Sequence, residues 1–187
     1  MPDHLQDEAQ LDEDGVGALY HRRYRVGISD SRLSSSEVME RLQADPNVAA
    51  PTEFARFHKL DGDEPGINVG DEYLVHMPGP WDGPVRVVHR TPTSFRFATL
   101  AGHLEAGQIE FRAFCEGDEF VFEIESWARP GDRVSHLLYN KLLLAKEIQL
   151  NLWTETCLGV ARSTGGRLRG GVRVHTRRVA DIDDATE

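Results

Sequence analysis

The sequence is poor in cysteine: Cys115 and Cys157 are the only two among its 187 residues. They do not form a CxxC pair, and no histidines stand at the spacing of zinc ligands, so we expect no metal site. Two isolated thiols are typical of a reducing compartment, which predicts a cytoplasmic protein. The HExxH, GxSxG and phosphate-binding-loop patterns are also missing, and we expect no cofactor.

Long apolar runs are missing as well. No stretch approaches the roughly 20 apolar residues that a membrane-spanning helix needs. The N-terminus is acidic and has no apolar segment of the kind found in signal peptides. The sequence therefore predicts neither a membrane span nor a secretory leader.

Lysine and arginine are missing from both ends of the chain. The formal net charge of −10 arises there, because residues 1–15 carry −6 and residues 181–187 carry −4, while the segment between them is balanced. We expect disordered acidic tails over residues 1–17 and 180–187, and a single domain over residues 18–179. A neutral body lacks the basic surface that nucleic-acid binding requires, so we expect no nucleic-acid partner.

One long amphipathic segment follows a series of short strand-like runs. It extends from Asp132 to about Ala161 and predicts a helix roughly 40 Å long. Its apolar residues recur at three- and four-residue steps: Val134, Leu138, Leu142, Ala145, Ile148 and Leu152. A shorter helix is predicted after Ser34, because Ser34 and Glu37 have the spacing of a capping box.

The predicted strands lie before the long helix, apart from one edge strand over Val172–Val179. Short turns between them require antiparallel pairing. The alternating runs that predict strands are Tyr24–Ile28, Phe54–Leu60, Glu72–Met77, Val85–Arg90, Ser94–Leu100, Gln108–Cys115 and Phe120–Glu125. We predict an α+β fold in which a curved antiparallel sheet of about seven strands wraps on the C-terminal helix. This order is similar to the helix-grip plan of START and Bet v 1 proteins.

The middle of the chain also resembles a specific family. The stretches that carry the resemblance are YHRRYRVGISDSRLS, GDEYLVHMPGPWDGPVRVV, SFRFATLAGHLEAGQIEF and FEIESWARPGDRVSHLLY. They are similar to the family called domain of unknown function 1990, over roughly residues 20 to 175. That family has no established activity, so the resemblance implies no reaction.

Two motifs of that family fall on residues of interest here. The GH-x-E-x-G pattern of the family corresponds to Gly102, His103, Glu105 and Gly107, and its SRP-like element corresponds to Ala128-Arg129-Pro130. Where family members often have an acidic pair, this chain has Gly107-Gln108-Ile109-Glu110. A role that needs two acids at that position is therefore not implied.

Three places hold polar groups that a plain sheet-and-helix domain does not require. The loop with Trp81 and Asp82 is stiffened by proline and glycine, and it either borders a pocket or plugs the sheet with Trp81. His103 and Glu105 form an acid–base pair, or the segment is a solvated hairpin turn, or the histidine bonds to a backbone carbonyl. Arg129 either holds an anionic ligand group or pairs with Glu123 or Glu125 on the surface.

Three functions from different classes are compatible with this pattern. The first is binding of a small hydrophobic or amphipathic molecule in a cavity between sheet and helix, lined by Phe95, Phe97, Phe111, Phe122 and Leu142. The second is an enzyme of cyclase, isomerase or hydrolase type on the same fold, with His103 as base, Glu105 as its orienting partner and Arg129 as anion stabiliser. The third is a protein-interaction module without a cavity, in which the Trp81 loop and the acidic tails dock a partner. The oligomeric state stays open.

Overall fold

The structure of the protein is a computed structural model that describes residues 9–51, 55–62, 64–77, 82–131 and 139–179, with only the backbone described in residues 139–148. Two α-helices and nine strands make up this part of the chain. Their bounds are β1 Leu19–Ser29, α1 Ser35–Ala44, β2 Arg56–Asp61, β3 Glu72–His76, β4 Asp82–Thr91, β5 Ser94–Thr99, β6 Glu105–Glu116, β7 Glu119–Pro130, α2 Tyr139–Ser163, β8 Arg167–Leu168 and β9 Arg173–Val179.

All nine strands belong to one antiparallel sheet in the order β2-β3-β4-β5-β6-β7-β1-β8, with β9 also paired to β1. The predicted fold class is confirmed, but the count of about seven strands is wrong. Seven strands precede α2, β9 corresponds to the edge strand predicted over Val172–Val179, and β8 was not predicted. The strands β8 and β9 pair with β1 at Ile28–Ser29 and Leu19–Arg25 respectively. They satisfy backbone groups of β1 that an uncovered edge would leave unpaired.

The strands around the candidate site are longer than their sequence patterns. The sequence predicts a strand over Gln108–Cys115, whereas β6 covers Glu105–Glu116; the last long strand continues to Pro130. Backbone pairing between β6 and β7 extends from Glu105 opposite Pro130 to Glu116 opposite Glu119. Polar residues interrupt the apolar alternation at these ends, but hydrogen bonds between strands do not depend on side-chain polarity.

The capping box at the start of α1 is confirmed. The backbone N–H of Glu37 donates to Oγ of Ser34 at 3.3 Å, and the Ser34 N–H donates to the Glu37 carboxylate at 2.8 Å. The side chains of Val38, Met39 and Leu42 are buried on one face of this short helix. The helix therefore contributes its apolar face to the hydrophobic core.

The long helix α2 lies on the face of the sheet that we call the inner face. It ends at Ser163, two residues beyond the prediction, and the predicted start at Asp132 lies outside the described residues. Its described buried side chains include Leu152, Trp153, Cys157 and Val160. The Cys157 thiol donates to the carbonyl of Tyr24 on β1 at 3.9 Å, which locates this end of the helix over β1.

Aromatic rings fill the core near α1. The ring of Phe111 stacks on Phe95 with centroids 4.8 Å apart and meets the edge of Trp153 at 5.5 Å. Phe97 lies 6.0 Å from Phe57 and 6.2 Å from Phe111. Offset and edge-to-face pairs are the arrangements that aromatic rings prefer, and only a small void of about 10 Å³ is found among these rings in the described part of the chain.

Residues 9–17 belong to the segment that the sequence assigns to a disordered tail. Here they run along the sheet: the Gln10 N–H donates to the Thr99 carbonyl at 2.7 Å, and the Gln10 carbonyl accepts from the Gly107 N–H at 2.9 Å. The Val16 N–H donates to the Pro130 carbonyl at 2.8 Å. These backbone bonds cover the turn that leads into β6.

Candidate functional site

A cavity of about 70 Å³ lies between the inner face of the sheet and α2. Its wall is largely apolar, and the six strands β2 to β7 contribute to it together with the helix. Its apolar residues include Phe57, Val75, Met77, Phe97, Ile109 and Trp153. At one end the lining becomes polar, with His103, Glu105, Ser126 and Gln149. The space equals that of two or three water molecules at about 30 Å³ each.

His103 reaches this cavity from the turn between β5 and β6. Its Nδ1 lies 2.9 Å from both the backbone N–H and the carbonyl of Glu105, so it accepts from the first in one tautomer and donates to the second in the other. Its Nε2 faces β4, where a Cβ added to Gly83 would lie 2.7 Å away. A glycine at position 83 therefore gives the ring the room to lie at the cavity.

The carboxylate of Glu105 points to the inner face and joins three elements. Its Oε2 accepts a hydrogen bond of 2.7 Å from Nε2 of Gln149 on α2. Its Oε1 lies 3.4 Å from Nη1 of Arg22 on β1. Arg22 is buried and Glu105 is half-buried, with 9% of the Arg22 side chain and 14% of the Glu105 side chain exposed.

The environment of His103 favours the neutral ring. Burial lowers the pKa of His103 below its ordinary value of 6.5, and the negative charge of Glu105 opposes that shift without cancelling it. A neutral imidazole has one nitrogen free to accept a proton, which is the form that a general base needs near neutral pH. The orienting contact comes from the Glu105 backbone, not from its carboxylate, as the alternative interpretation of this turn expected.

The structure brings only some of the predicted lining residues to the cavity. Phe97 and Phe111 line it together with His103 and Glu105. Phe95 and Phe122 are buried in the filled part of the core and do not line it. Leu142 lies in the part of α2 whose side chains are outside the description.

Two other predicted site residues lie away from the cavity. Asp82 is exposed at the start of β4, where its carboxylate contacts Nδ1 of His76; Trp81 lies outside the described residues. Arg129 is opposite Ala106 in the sheet register, and by alternation along β7 it belongs to the outer face. The structure therefore does not bring Arg129 together with His103 and Glu105.

Glu123 and Glu125 form a cross-strand charge cluster on the outer face. Nε of Arg112 on β6 donates to Glu123 at 3.0 Å, and Nη2 of the same arginine lies 2.8 Å from Glu125. Glu125 also accepts from Nε2 of His21 at 2.6 Å. These carboxylates thus pair with Arg112 and His21, and Glu123 also with Arg25 at 4.0 Å, so the cluster is a structural feature of the sheet exterior.

Sequence reasoning missed Arg22, Ser126 and Gln149. The signal for Arg22 was present, because it shares strand parity with Tyr24, Val26 and Ile28, which are buried inward. Ser126 shares parity with Phe122 and Ile124 on β7 and could have been found in the same way. Gln149 had no comparable signal, since a polar residue on an amphipathic helix ordinarily faces water.

None of the helices in the described part of the chain has the length and apolar character that crossing a membrane needs. Within those same residues, no cluster of three or more histidine, cysteine or acidic side chains has the arrangement of a metal site.

Known structures with a similar fold include a plant enzyme and two other proteins. Norcoclaurine synthase from Thalictrum flavum, solved in complex with dopamine and hydroxybenzaldehyde, has a TM-score of 0.53 at 10% identity, covering 81% of this chain and 88% of that chain. A hypothetical protein from Helicobacter pylori has a TM-score of 0.55 at 10% identity, covering 76% of this chain and 86% of that chain. The major latex-like protein 151 from Panax ginseng has a TM-score of 0.51 at 16% identity, covering 79% of this chain and 99% of that chain.

These similarities show a Bet v 1-like helix-grip fold, and at such identities they show the fold alone. No curated protein sequence matches the chain significantly. The profile of the family described as "Domain of unknown function (DUF1990)" matches residues 50–151, which is more than half of the chain. The matched segment contains β2 to β7, the first part of α2 and the whole GH-x-E-x-G pattern. The chain therefore belongs to the DUF1990 family.

Proposed function

We propose that the protein binds a small, mostly apolar molecule in the cavity between the sheet and α2. The observation that carries this proposal is the lining itself: an apolar wall with His103 and Glu105 converging on one end. Small-molecule sites commonly combine an apolar wall with a few polar groups that fix orientation. A core built only for packing has no need of a histidine and a carboxylate at one end of an open space.

The size of the cavity determines how a ligand would enter. At about 70 Å³ it is smaller than the roughly 300–1,000 Å³ of typical ligand pockets, so a ligand of ten heavy atoms requires the wall to move. Met77 lines the cavity, and its unbranched thioether side chain repacks at low cost. The plant synthase of similar fold accommodates dopamine and hydroxybenzaldehyde, which supports a site of this kind in the fold.

The test is a binding screen with the full chain and a variant whose cavity is filled. Native mass spectrometry and thermal-shift measurements against lipid, aromatic and polyketide libraries should identify compounds that raise the unfolding temperature. Ala128→Val adds volume at the cavity wall and should abolish those shifts, whereas Ala101→Val in an exposed turn should leave them unchanged. If no library compound binds the wild-type chain, the ligand proposal fails.

A second candidate is an enzyme that uses His103 as a general base. The specific observation in its favour is a ring that lines the cavity, is held through Nδ1 by backbone and has a lowered pKa. The arrangement matches the requirement for a base that is unprotonated near neutral pH. Mass-spectrometric comparison of ligand before and after incubation, with wild type and His103→Gln, distinguishes the two: turnover lost in the variant while binding is kept identifies the enzyme.

A further inference from the structure

The polar end of the cavity has hydrogen-bonding capacity that the described residues do not use. Ser126 lines the cavity with 8% of its surface exposed, and its hydroxyl has no hydrogen-bond partner among the described residues. The hydroxyl is not among the buried side-chain atoms of the described residues that lack a partner, so it borders space that a water-sized molecule can reach. Polar cavities of this kind are filled by water or ligand. Ser126 therefore marks the place where a polar group of an occupant would lie.

His103 and Gln149 border the same space with unused atoms. Nδ1 of His103 is engaged by the Glu105 backbone, whereas its Nε2 has no partner among the described residues. The amide nitrogen of Gln149 donates to Glu105, and its carbonyl oxygen has no described partner. Together with Ser126, these atoms offer both acceptors and donors to an occupant.

An occupant of the cavity would contact the negative member of the Arg22–Glu105 ion pair but not the positive one. The carboxylate of Glu105 lines the cavity, whereas Arg22, its partner at 3.4 Å, does not. An anionic group in the cavity would stand beside the Glu105 carboxylate without contacting the arginine. A cationic group would compete with Arg22 for Glu105 and would have to shed its hydration in an apolar space.

We propose that the occupant presents a neutral hydroxyl group, an alcohol or a phenol, to the cluster of Glu105, Ser126 and His103. This inference rests on the proposed function and adds the chemical class of the ligand's polar group. A hydroxyl donates one hydrogen bond and accepts another, which matches an acceptor carboxylate beside a serine hydroxyl and a histidine nitrogen. The apolar wall, with Phe97, Phe111 and Trp153, selects a hydrocarbon or aromatic body.

The experiment uses four compounds with one aromatic frame and different polar groups: para-cresol, para-xylene, para-toluate and para-methylbenzylamine. Dissociation constants for the full chain are measured by calorimetry or ligand-observed NMR at neutral pH. We expect para-cresol to bind about three- to tenfold more tightly than para-xylene, the gain of one added hydrogen bond, and the two ions to bind more weakly than either.

A variant locates the preference. Ser126→Ala should bring the affinities for para-cresol and para-xylene closer together. Ser36→Ala, at an exposed position of α1, should keep the wild-type ratio of the two affinities. Equal binding of the first two compounds by the wild type, or preference for para-toluate or para-methylbenzylamine, would overturn the hydroxyl inference while the binding function stands. If none of the four binds and the library screen also finds no ligand, the binding function fails and the inference fails with it.

Discussion

Nε2 of Gln149 on α2 donates a hydrogen bond of 2.7 Å to Oε2 of Glu105 on β6. The two residues are 44 positions apart in the chain, and this bond joins the helix to the sheet at the polar end of the cavity. The same carboxylate faces Arg22 on β1. Glu105 therefore connects α2, β6 and β1 at the point where the cavity changes from apolar to polar.

Replacing Gln149 by leucine should weaken the attachment of α2. The substitution removes the donor and leaves the Glu105 carboxylate with one fewer partner, so we expect the free energy of unfolding to fall by about 1–2 kcal/mol. Urea unfolding followed by circular dichroism measures the change. Asn151→Leu, at an exposed position of the same helix, is the control; an equal loss in both variants would contradict a specific role for this bond.

The stability of the fold should depend on pH through His103. Burial lowers the pKa of His103 in the folded state. In the unfolded chain the imidazole is protonated as the pH falls through about 6.5, whereas in the folded chain it is protonated only at lower pH. The unfolded state therefore holds more protons in this window, and stability decreases as the pH falls below about 6.5. We expect His103→Asn to show a shallower decrease between about pH 7 and pH 5 than wild type.

The measurement for His103 is urea unfolding at a series of pH values. The quantity compared between variants is the slope of the free energy of unfolding against pH, not its absolute value. His58→Asn, at an exposed position on β2, is the matched control and should not reproduce the change. A slope in His103→Asn equal to or steeper than that of wild type would show that His103 is not the group responsible.

Gly107 should tolerate alanine much less well than Gly102. Both have positive φ, +156° and +94° respectively, but a Cβ at Gly107 would lie 2.0 Å from the Trp127 carbonyl, whereas one at Gly102 meets nothing within 4 Å. We expect Gly107→Ala to cost about 2–4 kcal/mol and Gly102→Ala about 1 kcal/mol, from backbone strain alone. Thermal unfolding of both variants measures the difference, and similar costs would contradict the close approach.

Trp153 should be a major contributor to stability, because it is buried against the packed aromatic rings and also lines the cavity. It is 9% exposed and contacts Phe111 at 5.5 Å. Trp153→Ala should cost about 3–5 kcal/mol, from lost burial and the enlarged cavity. Trp127→Ala removes a half-buried ring that stacks on His21 on the outer face and should cost less. Urea unfolding compares the two; an equal or larger cost at Trp127 would contradict this role of Trp153.

The spacing of apolar residues along the sequence predicted the helices and strands better than it predicted the candidate site. The capping residues Ser34 and Glu37 predicted the start of α1, because a cap is a local contact between neighbours in sequence. The β8 strand was missed because Arg167 and Leu168 carry no alternation and pair only where the edge of β1 is available. A strand that exists because another edge needs a partner has no signal of its own.

The candidate site was predicted in part for the same reason. His103 and Glu105 are two residues apart, so their proximity is local, and both line the cavity. Arg129 shares the parity of Glu123 and Glu125, which places it on the outer face once the inner face is known. Parity states which residues share a face, but it does not say which face meets the helix.

The sequence by itself determined the family, the antiparallel sheet with its C-terminal helix, and the balanced charge between two acidic ends. These follow from periodicity, turn residues and composition, which are properties of neighbouring residues. Only the tertiary structure decided that Glu105, Ser126 and Gln149 meet around one small space and that Arg22 pairs with Glu105 from 83 positions away in the chain. Contacts at that separation depend on strand register and helix position, which the packing of the whole core fixes.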